Sequence, residues 1–380
     1  MSEPTSLKQL LDQVTGKRII EAVSAEPRSL SEPMPFPFLA LVGQPEMKIA
    51  LVLCLVNPAI NGVLLVGPRG TGKTTAVRSL VDLLPLVQRS SCAYGCLPED
   101  VETGGMDAVC PDCAKKYGEG TPLTHPDPVR LVELPLNAQL DDVVGGVDEH
   151  APANRTQIRR GILAHADQNL LYVDEVNLLG DEIVDAILDA AAQGVYTVRR
   201  AGLAATYRAR FVFIGSMNPE EGRLRPQIMD RFGLRLMVHG LTNQAERLEV
   251  YRRVRAYLTN PRATVAQWAE QTISVRNEIQ AAREMLPRVH LTPEAERAGL
   301  ALVSRLNIDS LRTEITLFEA ARAYAAMDGR TEATPADVRA IAPMATRLRR
   351  SQFIVDYFNG QQSEEKEIAM ALEELMPPGA

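Results

Sequence analysis

Residues 61–85 read NGVLLVGPRGTGKTTAVRSLVDLLP, and this stretch decides the fold. Val63–Val66 form a continuous apolar run that predicts a buried strand, and the loop GPRGTGKT follows it directly. Apolar residues then recur at helical spacing as far as Pro85. A G-x-x-x-x-G-K-[ST] loop between a strand and a helix holds a polyphosphate, because its N–H groups and the helix N-terminus point at the anion. The sequence therefore predicts a nucleotide-binding α/β domain.

Each residue of this loop is expected to make a different contact with the nucleotide. Gly70 and Gly72 let the backbone approach the phosphates, Lys73 reaches the β- and γ-phosphates, and Thr74 ligates Mg²⁺. The full set of expected nucleotide contacts is Val42, Gly43, Gly67, Pro68, Arg69, Gly70, Thr71, Gly72, Lys73, Thr74 and Thr75. ATP and Mg²⁺ are the predicted cofactors.

A second, acidic motif lies downstream in residues 169–179, NLLYVDEVNLL. Its apolar run predicts another buried strand, and Asp174 and Glu175 stand at the end of that strand. In this position Asp174 can hold the Mg²⁺ shell together with Thr74, and Glu175 can orient the attacking water. The pair predicts ATP hydrolysis as well as ATP binding.

Residues 209–238, ARFVFIGSMNPEEGRLRPQIMDRFGLRLMV, contain a third buried strand with Asn218 just past its end. With this stretch the chain resembles the AAA+ ATPases. The resemblance implies that Asn218 senses the γ-phosphate and that Arg231 is an arginine finger acting on the neighbouring subunit. A surface arginine paired with Asp230 is the alternative interpretation of Arg231.

A strongly helical stretch, NIDSLRTEITLFEAARAYAAMDGR, occupies residues 307–330 and carries Arg312 near its start. The same resemblance implies that Arg312 is a second sensor, which reaches the γ-phosphate from an α-helical lid. The alternative is an arginine exposed on a helix surface.

Two insertions narrow the resemblance within the AAA+ class. One insertion predicts a β-hairpin, with strands at 196–199 and 205–208 and a turn near Ala201 and Gly202, and residues 141–168 form a second long insertion. Hairpins at these two places are typical of the branch that holds the chelatases, the MoxR-type ATPases and certain helicases.

From about residue 36 to about residue 350 the chain is similar to the ATPase subunit of magnesium chelatase. Four segments carry this resemblance: PFPFLALVGQPEMKIAL, RRGILAHADQNLLYVDEVNLLGDEIVDAILDAAAQG, GSMNPEEGRLRPQIMDRFGL and LRTEITLFEAARAYAA. The family implies a hexameric ring that works with a middle AAA+/A-domain subunit and a large porphyrin-binding subunit. Mg²⁺ enters protoporphyrin IX on the large subunit, so the residues above would serve ATP hydrolysis.

Four grouped cysteines depart from the resembled pattern, because the best-known chelatase subunits have a shorter segment here. Cys92 and Cys96 form a C-x₃-C pair, and Cys110 and Cys113 form a C-x₂-C pair. This spacing suits a structural tetrathiolate Zn²⁺ site. Two disulfides, an iron–sulfur cluster and an unmetallated loop remain as alternatives. The insertion also makes a cobaltochelatase-type role in a cobalamin pathway more plausible.

The predicted fold is an α/β P-loop NTPase domain of AAA+ type, with a parallel sheet and β-hairpin insertions, followed by an all-α lid. The predicted segments are an N-terminal extension at 1–35, the nucleotide-binding domain at 36–240 with the cysteine insertion at 90–120, the helical lid at 241–350, and an acidic C-terminal helix or tail at 351–380.

Composition limits the function further. The 380 residues carry a formal net charge of −7, which disfavours broad binding to nucleic-acid backbones and a helicase-like motor. The most apolar stretch is interrupted by Asn57-Pro58 and Asn61-Gly62, so no membrane span is expected, and neither is a signal peptide at the N-terminus. We expect a cytoplasmic chelatase ATPase, with a MoxR-type protein-remodelling ATPase as the alternative.

Overall fold

The computed structural model describes residues 34–84, 86–147, 158–200, 202–222 and 224–349. The predicted N-terminal extension as far as residue 33, the tip of the first insertion at 148–157 and the predicted tail lie outside the described residues.

The strands of the described chain include short hairpin strands between the longer buried ones. They are β1 (Val63–Val66), β2 (Leu86–Ser90), β3 (Thr124–Pro128), β4 (Leu131–Leu134), β5 (Gly145–Val147), β6 (Ile158–Arg160), β7 (Leu170–Val173), β8 (Val195–Arg200), β9 (Leu203–Arg208), β10 (Val212–Met217), β11 (Leu234–Met237), β12 (His290–Leu291) and β13 (Glu332–Ala333).

The helices are short in the first half of the chain and long in the second. They are α1 (Pro45–Val56), α2 (Lys73–Arg78), α3 (Pro98–Gly104), α4 (Pro111–Gly118), α5 (Leu140–Val144), α6 (Ile162–His165), α7 (Asp181–Gln193), α8 (Pro226–Arg231), α9 (Gln244–Thr259), α10 (Pro261–Met285), α11 (Pro293–Arg305), α12 (Leu311–Met327) and α13 (Pro335–Thr346).

The central sheet has five strands in the order β11-β1-β10-β7-β4, and every neighbouring pair is parallel. The loop after β1, the acidic pair after β7 and Asn218 after β10 therefore meet at one edge of the sheet, where the carboxyl ends of parallel strands lie together. The predicted parallel α/β sheet is confirmed.

Successive residues of the central strands point to opposite faces and enter two separate cores. Val63 and Leu65 pack in one core, whereas Leu64 and Val66 pack in the other. All four residues are at most 3% exposed. A strand with both faces covered is necessarily a continuous apolar run, which is why the sequence signal for β1 is so clear.

Close backbone contacts hold β1 between its neighbours. Gly62 has φ +87°, and a Cβ at this position would lie 1.9 Å from the carbonyl oxygen of Phe213. A Cβ on Gly67 would lie 2.1 Å from the carbonyl oxygen of Val238. Glycine is therefore required at both ends of β1, and the start of the phosphate loop is fixed against the strand beside it.

The second half of the chain is helical, as predicted, and α12 is its best-buried helix. Leu317, Ala320 and Ala321 are fully buried in the same core as β1 and α1. The helix α13 begins with a capping box in which the Asp337 carboxylate accepts from the backbone N–H of Thr334. Within the described part of the chain, no helix has both the length and the apolar character needed to cross a bilayer.

Both predicted insertions contain antiparallel hairpins. The strands β8 and β9 pair from Val195↔Arg208 to Arg200↔Leu203, and β5 pairs with β6. The strands β2 and β3 form a third hairpin, which encloses the four grouped cysteines.

Candidate functional site

The phosphate loop passes from β1 into α2 and wraps around the ammonium group of Lys73. This side chain is only 8% exposed, and its Nζ donates to the carbonyl oxygens of Gly67 at 2.7 Å and Pro68 at 2.8 Å. Burial lowers the pKa of Lys73, while the negative charges of Asp174, Glu175 and Glu221 oppose that effect. These carboxylates keep Lys73 charged despite its burial, and the charged ammonium group can bind a polyphosphate.

The carboxylate of Asp174 receives hydrogen bonds from three elements. Thr74 Oγ1 donates to Oδ2 at 3.0 Å, Tyr172 Oη donates to Oδ1 at 2.9 Å, and Ser216 Oγ also donates to Oδ1. Burial alone would raise the pKa of Asp174, but these three hydrogen bonds outweigh burial and lower the pKa. Asp174 is thus kept ionised next to the Thr74 hydroxyl, and these two oxygens can ligate one Mg²⁺.

Glu175 follows Asp174 in the left-handed conformation, with φ +53°. Its backbone N–H donates to Ser216 Oγ at 3.1 Å, so one hydroxyl contacts both acidic residues. Its carboxylate pairs with Arg69 of the phosphate loop at 3.2 Å, and Arg69 also pairs with Glu221. The loop and the acidic strand end are thereby connected across the mouth of the site.

Two adjoining cavities form the site. The first, of about 310 Å³, is lined by loop residues 69–75 together with Asp174, Glu175, Ser216 and Asn218. The second, of about 540 Å³, shares loop residues with the first and has mainly apolar walls that include Phe36, Val42, Leu241 and Val254. A polar cavity beside an apolar one suits a triphosphate joined to a flat base.

Asn218 and Gly43 differ in how they relate to the two cavities. Asn218 is 3% exposed in the polar cavity, and its Oδ1 accepts from the backbone N–H of Glu220 at 3.2 Å. Gly43 does not line the apolar cavity; it has φ +66° and packs against Leu241, which does line it. Gly43 therefore contributes to the shape of the wall.

Arg231 and Arg312 do not line the phosphate cavity of their own chain. Arg231 is the last residue of α8 and pairs with Asp189 of α7. Arg312 lies 3.6 Å from Asp230, with about half of its side chain exposed. Both arginines therefore lie away from the loop that the same chain contributes, and the pairing of Arg231 with Asp230 is not formed.

The carboxylate of Asp230 instead accepts hydrogen bonds from two arginines and a serine. Its carboxylate accepts from Arg349 at 2.9 Å, from Arg235 at 3.3 Å and from Ser310 at 2.9 Å. Burial and the charge of Arg349 lower the pKa of Arg235 to about 9, although Asp230 opposes this. The carboxylate next to Arg231 is thus bonded to residues before, within and after the helical region.

The four grouped cysteines come together in one compact cluster. The sulfurs of Cys92, Cys96, Cys110 and Cys113 all lie within 4.8 Å of one another, and none of them forms a disulfide. Cys96 and Cys113 are buried, and the other two are half-buried. Four sulfurs gathered around one point match the ligand set of a tetrahedral metal site.

The backbone around this cluster donates hydrogen bonds to sulfur. The N–H of Cys96 donates to Cys92 Sγ at 3.3 Å, and the N–H of Cys110 donates to Cys96 Sγ at 3.3 Å. Burial raises the pKa of the Cys92 thiol, but hydrogen bonds from Ser90 and from the backbone N–H groups of Cys96 and Tyr94 outweigh it and lower the pKa to about 6. The surroundings of Cys92 thus favour a thiolate, which is the form that binds metal, whereas burial raises the pKa of the Cys96 thiol to about 11 and also raises that of Cys113.

Comparison with known families agrees with this geometry. Residues 61–221 match a family model described as an AAA domain, and residues 295–369 match one described as an AAA lid domain. The first match contains the loop, both acidic residues and Asn218.

Several curated relatives match most of the chain. The magnesium-chelatase subunit ChlI homolog of Methanocaldococcus jannaschii is 39% identical over 335 residues, which cover 87% of this chain and 90% of that protein. The magnesium-chelatase 38 kDa subunit of Acidiphilium rubrum is 42% identical over 317 residues, which cover 83% and 90%. The chain belongs to the magnesium-chelatase ChlI family. It is therefore an ATP-hydrolysing AAA subunit, and the predictions of the AAA+ fold, the ATPase activity and the family are confirmed.

A solved structure gives a further match to this ChlI-family chain. A chain in the reconstruction of the complex between the BchI and BchD subunits of magnesium chelatase is 39% identical to it. The match covers 85% of this chain and 99% of that chain, with a TM-score of 0.47.

Sequence reasoning missed three residues of the site in this ChlI-family chain. Tyr172 and Ser216 lie inside strands, where their letters are part of an apolar run. Position was the available signal for Tyr172, because it lies two residues before Asp174 near the end of an extended segment, where alternate residues share a face. Glu221 lies in a loop, and its pairing with Arg69 has no counterpart in the sequence pattern.

Substitution of Ser216 by alanine tests whether the hydroxyl shared by Asp174 and Glu175 positions the two acids. We expect ATP turnover to fall by about 10- to 100-fold, as is usual when a residue that orients a metal ligand is removed. ATP affinity should change little, since Lys73 and the loop N–H groups are intact. Steady-state kinetics and nucleotide titration measure the two effects.

The matched control for this prediction is Ser91→Ala, which removes an exposed hydroxyl that contacts only His125. It should leave turnover unchanged. Equal losses in Ser216→Ala and Ser91→Ala, or an unchanged turnover in Ser216→Ala, would contradict the role assigned to Ser216.

Proposed function

We propose that this chain is the ATPase motor of a tetrapyrrole metal chelatase, which drives the insertion of Mg²⁺ into protoporphyrin IX by a separate large subunit. The observation that carries the proposal is the hydrogen-bonded Thr74–Asp174–Ser216 group beside the phosphate loop, in a chain about 40% identical to magnesium-chelatase subunits over most of their length. The relatives are named as subunits, which supports a function shared with partner chains.

Within one subunit, each residue of the site has a separate task in the proposed reaction. Lys73 and the loop N–H groups bind the β- and γ-phosphates, and Thr74 and Asp174 hold Mg²⁺, which neutralises phosphate charge when bound. Glu175 orients the attacking water, and Asn218 contacts the γ-phosphate from the end of β10. Residues 36–240 form the nucleotide-binding domain in this proposal, and residues 241–350 form the lid.

The complete catalytic site is proposed to form between subunits of a hexameric ring. Arg312, the proposed second sensor, lies outside the cavity lined by its own loop. Arg231 also lies outside this cavity and pairs with Asp189, which supports its action on the γ-phosphate of a neighbouring subunit. There Arg231 stabilises the charge that develops on the transferred phosphoryl group. An arginine supplied in this way accelerates phosphoryl transfer by about 10³- to 10⁵-fold in other systems.

Mixing two inactive variants tests whether Arg231 acts on the neighbouring subunit. Arg231→Ala should still bind ATP but lose at least about 10³-fold in turnover, and Glu175→Gln should also be inactive. A mixture should regain activity, because a subunit with intact Glu175 can then meet a neighbour with intact Arg231. ATPase rates measured across mixing ratios give the answer.

The control mixture pairs Lys73→Ala with Glu175→Gln and should stay inactive, because both residues serve the same subunit. If the mixture of Arg231→Ala and Glu175→Gln were equally inactive while both chains assembled, Arg231 would not act in trans. The same mixing test with Arg312→Ala shows whether Arg312 also serves the neighbour.

A reconstituted chelation assay tests the proposed function itself. The chain is mixed with the candidate middle and large subunits of the same source, protoporphyrin IX, Mg²⁺ and ATP, and metalloporphyrin fluorescence is followed. Product should form with the native chain and not with Lys73→Ala. Product with Co²⁺ and a corrin-type acceptor, but none with Mg²⁺, would favour the cobaltochelatase alternative, and ATP turnover without either product would favour a protein-remodelling ATPase.

We also propose that the four grouped cysteines hold one structural Zn²⁺. All four ligands come from the protein, so the site is closed, which is typical of a structural ion that stabilises a small fold. The chain should therefore contain one zinc per subunit by elemental analysis. Cys113→Ser should lose most of it, and Cys54→Ala, which changes the fully buried fifth cysteine, should keep it. Iron in place of zinc, or fully reduced thiols without metal, would refute the zinc assignment.

A further inference from the structure

The segment between Cys92 and Cys96 lies directly against the β8–β9 hairpin. The ring of Tyr94, in the middle of this segment, stacks on the ring of Tyr207 of β9, with centroids 5.7 Å apart and planes 10° apart. Tyr207 is 5% exposed and lies 5.9 Å from the ring of Tyr196 of β8. Three aromatic rings thus connect the first cysteine pair to both strands of the hairpin.

Polar and steric contacts accompany the ring stack. Asp100, at the start of α3, pairs with Arg208 of β9, and both side chains are about one-fifth exposed. Gly95 has φ +78°, and a Cβ there would lie 3.1 Å from the Arg208 side chain and 3.3 Å from the Asp167 carboxylate. The cysteine segment and the hairpin therefore fit closely, and Gly95 leaves room for Arg208.

The cysteine segment has little apolar material with which to keep this shape. Its own core consists of four buried residues, Cys96, Val109, Cys113 and Leu123, and two of them are members of the sulfur cluster. A core this small does not fix a segment of this length without a further crosslink. The crosslink available here is a metal ion bound by all four sulfurs.

The β8–β9 hairpin is also connected, through the chain and through side-chain contacts, to the strands beside the ATP site. It follows α7, whose Asp189 pairs with Arg231, and it leads through Arg210 into β10. The backbone N–H and the guanidinium of Arg210 both donate to the carboxylate of Asp167, just before β7. The position of the hairpin is thus connected to the strands that carry Asp174 and Ser216.

We propose that metal binding by the four cysteines sets the position of the β8–β9 hairpin, through the Tyr94–Tyr207 stack and the Asp100–Arg208 pair. In this proposal the ion does not contact the ATP site; it acts as a clamp, which here means that it holds the cysteine segment in the shape that fixes the β8–β9 hairpin. The inference rests on the proposed metal site and goes beyond a role in folding the cysteine segment alone.

Hydrogen–deuterium exchange of the full chain, with and without its metal, tests this proposal. Metal content is measured first, and the metal is then removed with a chelator under reducing conditions. We expect amides of β8 and β9 to exchange at least about tenfold faster without metal, while amides of β1 and β7 keep their protection. Added Zn²⁺ should restore the slow exchange.

Two variants separate the clamp from the metal site. Tyr94→Ala removes the stack from the cysteine side, and Arg208→Met removes the ion pair from the hairpin side, and neither changes a cysteine. Both should retain one metal per chain and still show faster exchange in β8 and β9. The matched control is Tyr117→Ala on α4, another partly exposed tyrosine of the cysteine segment, which should leave exchange in the hairpin unchanged.

The outcomes distinguish this inference from the zinc proposal. If no metal is bound to reduced cysteines, the zinc proposal fails and the clamp fails with it. If metal is bound but its removal leaves hairpin exchange unchanged, the zinc proposal stands and the clamp is overturned. The clamp is also overturned if Tyr94→Ala and Arg208→Met keep both the metal and native hairpin exchange.

Discussion

The carboxylate of Asp174 is the group on which the site and the central sheet both depend. Its hydrogen-bond donors are Thr74 in the helix after β1, Tyr172 in β7 and Ser216 in β10. The strands β1, β10 and β7 lie side by side at the centre of the sheet. A half-buried carboxylate is costly unless its hydrogen bonds are made, so these strands must end at the same level. The glycine contacts at Gly62 and Gly67 enforce that level by fixing β1 against its neighbours. The hydrogen bonds to Asp174 therefore depend on the same alignment of β1, β7 and β10 that positions the catalytic residues.

A second carboxylate, Asp230, has a comparable role at the outer side of the domain. It bonds Arg235 in β11, Ser310 before α12 and Arg349 after α13, and its neighbour in the chain is Arg231. A movement of the helical region must therefore either break these bonds or displace α8. Because Arg231 ends α8, a displacement of α8 also displaces this arginine. Asp230 thus connects the helix that ends in Arg231 to the segments before α12 and after α13.

The sequence predicts the parts of the site that have a fixed spacing, and it does not predict the parts formed by packing. The loop with Lys73 and the acidic pair after β7 follow from local pattern, since a strand must precede each of them. Tyr172 and Ser216 become recognisable only when β7 and β10 are aligned side by side. Arg235 is similar: it is 1% exposed within a central strand, where an arginine is not expected to be buried, and only the folded chain shows that Asp230 and the carbonyl of Leu348 accept its hydrogen bonds. Contacts between distant segments leave no period in the sequence, and most of the missed residues depend on such contacts.

The four cysteines show the same division between spacing and packing. Two short C-x₂₋₃-C motifs predict a shared site, because each motif places two sulfurs on one side of a turn. The spacing does not say what the segment contacts, and the contacts are what give it a function beyond its own folding. If the segment were only a surface decoration, its residues facing the protein could be small and polar. Instead the first pair encloses a tyrosine that stacks on the hairpin and a glycine that lies close to Arg208, so the residues between the two cysteines fit against the hairpin.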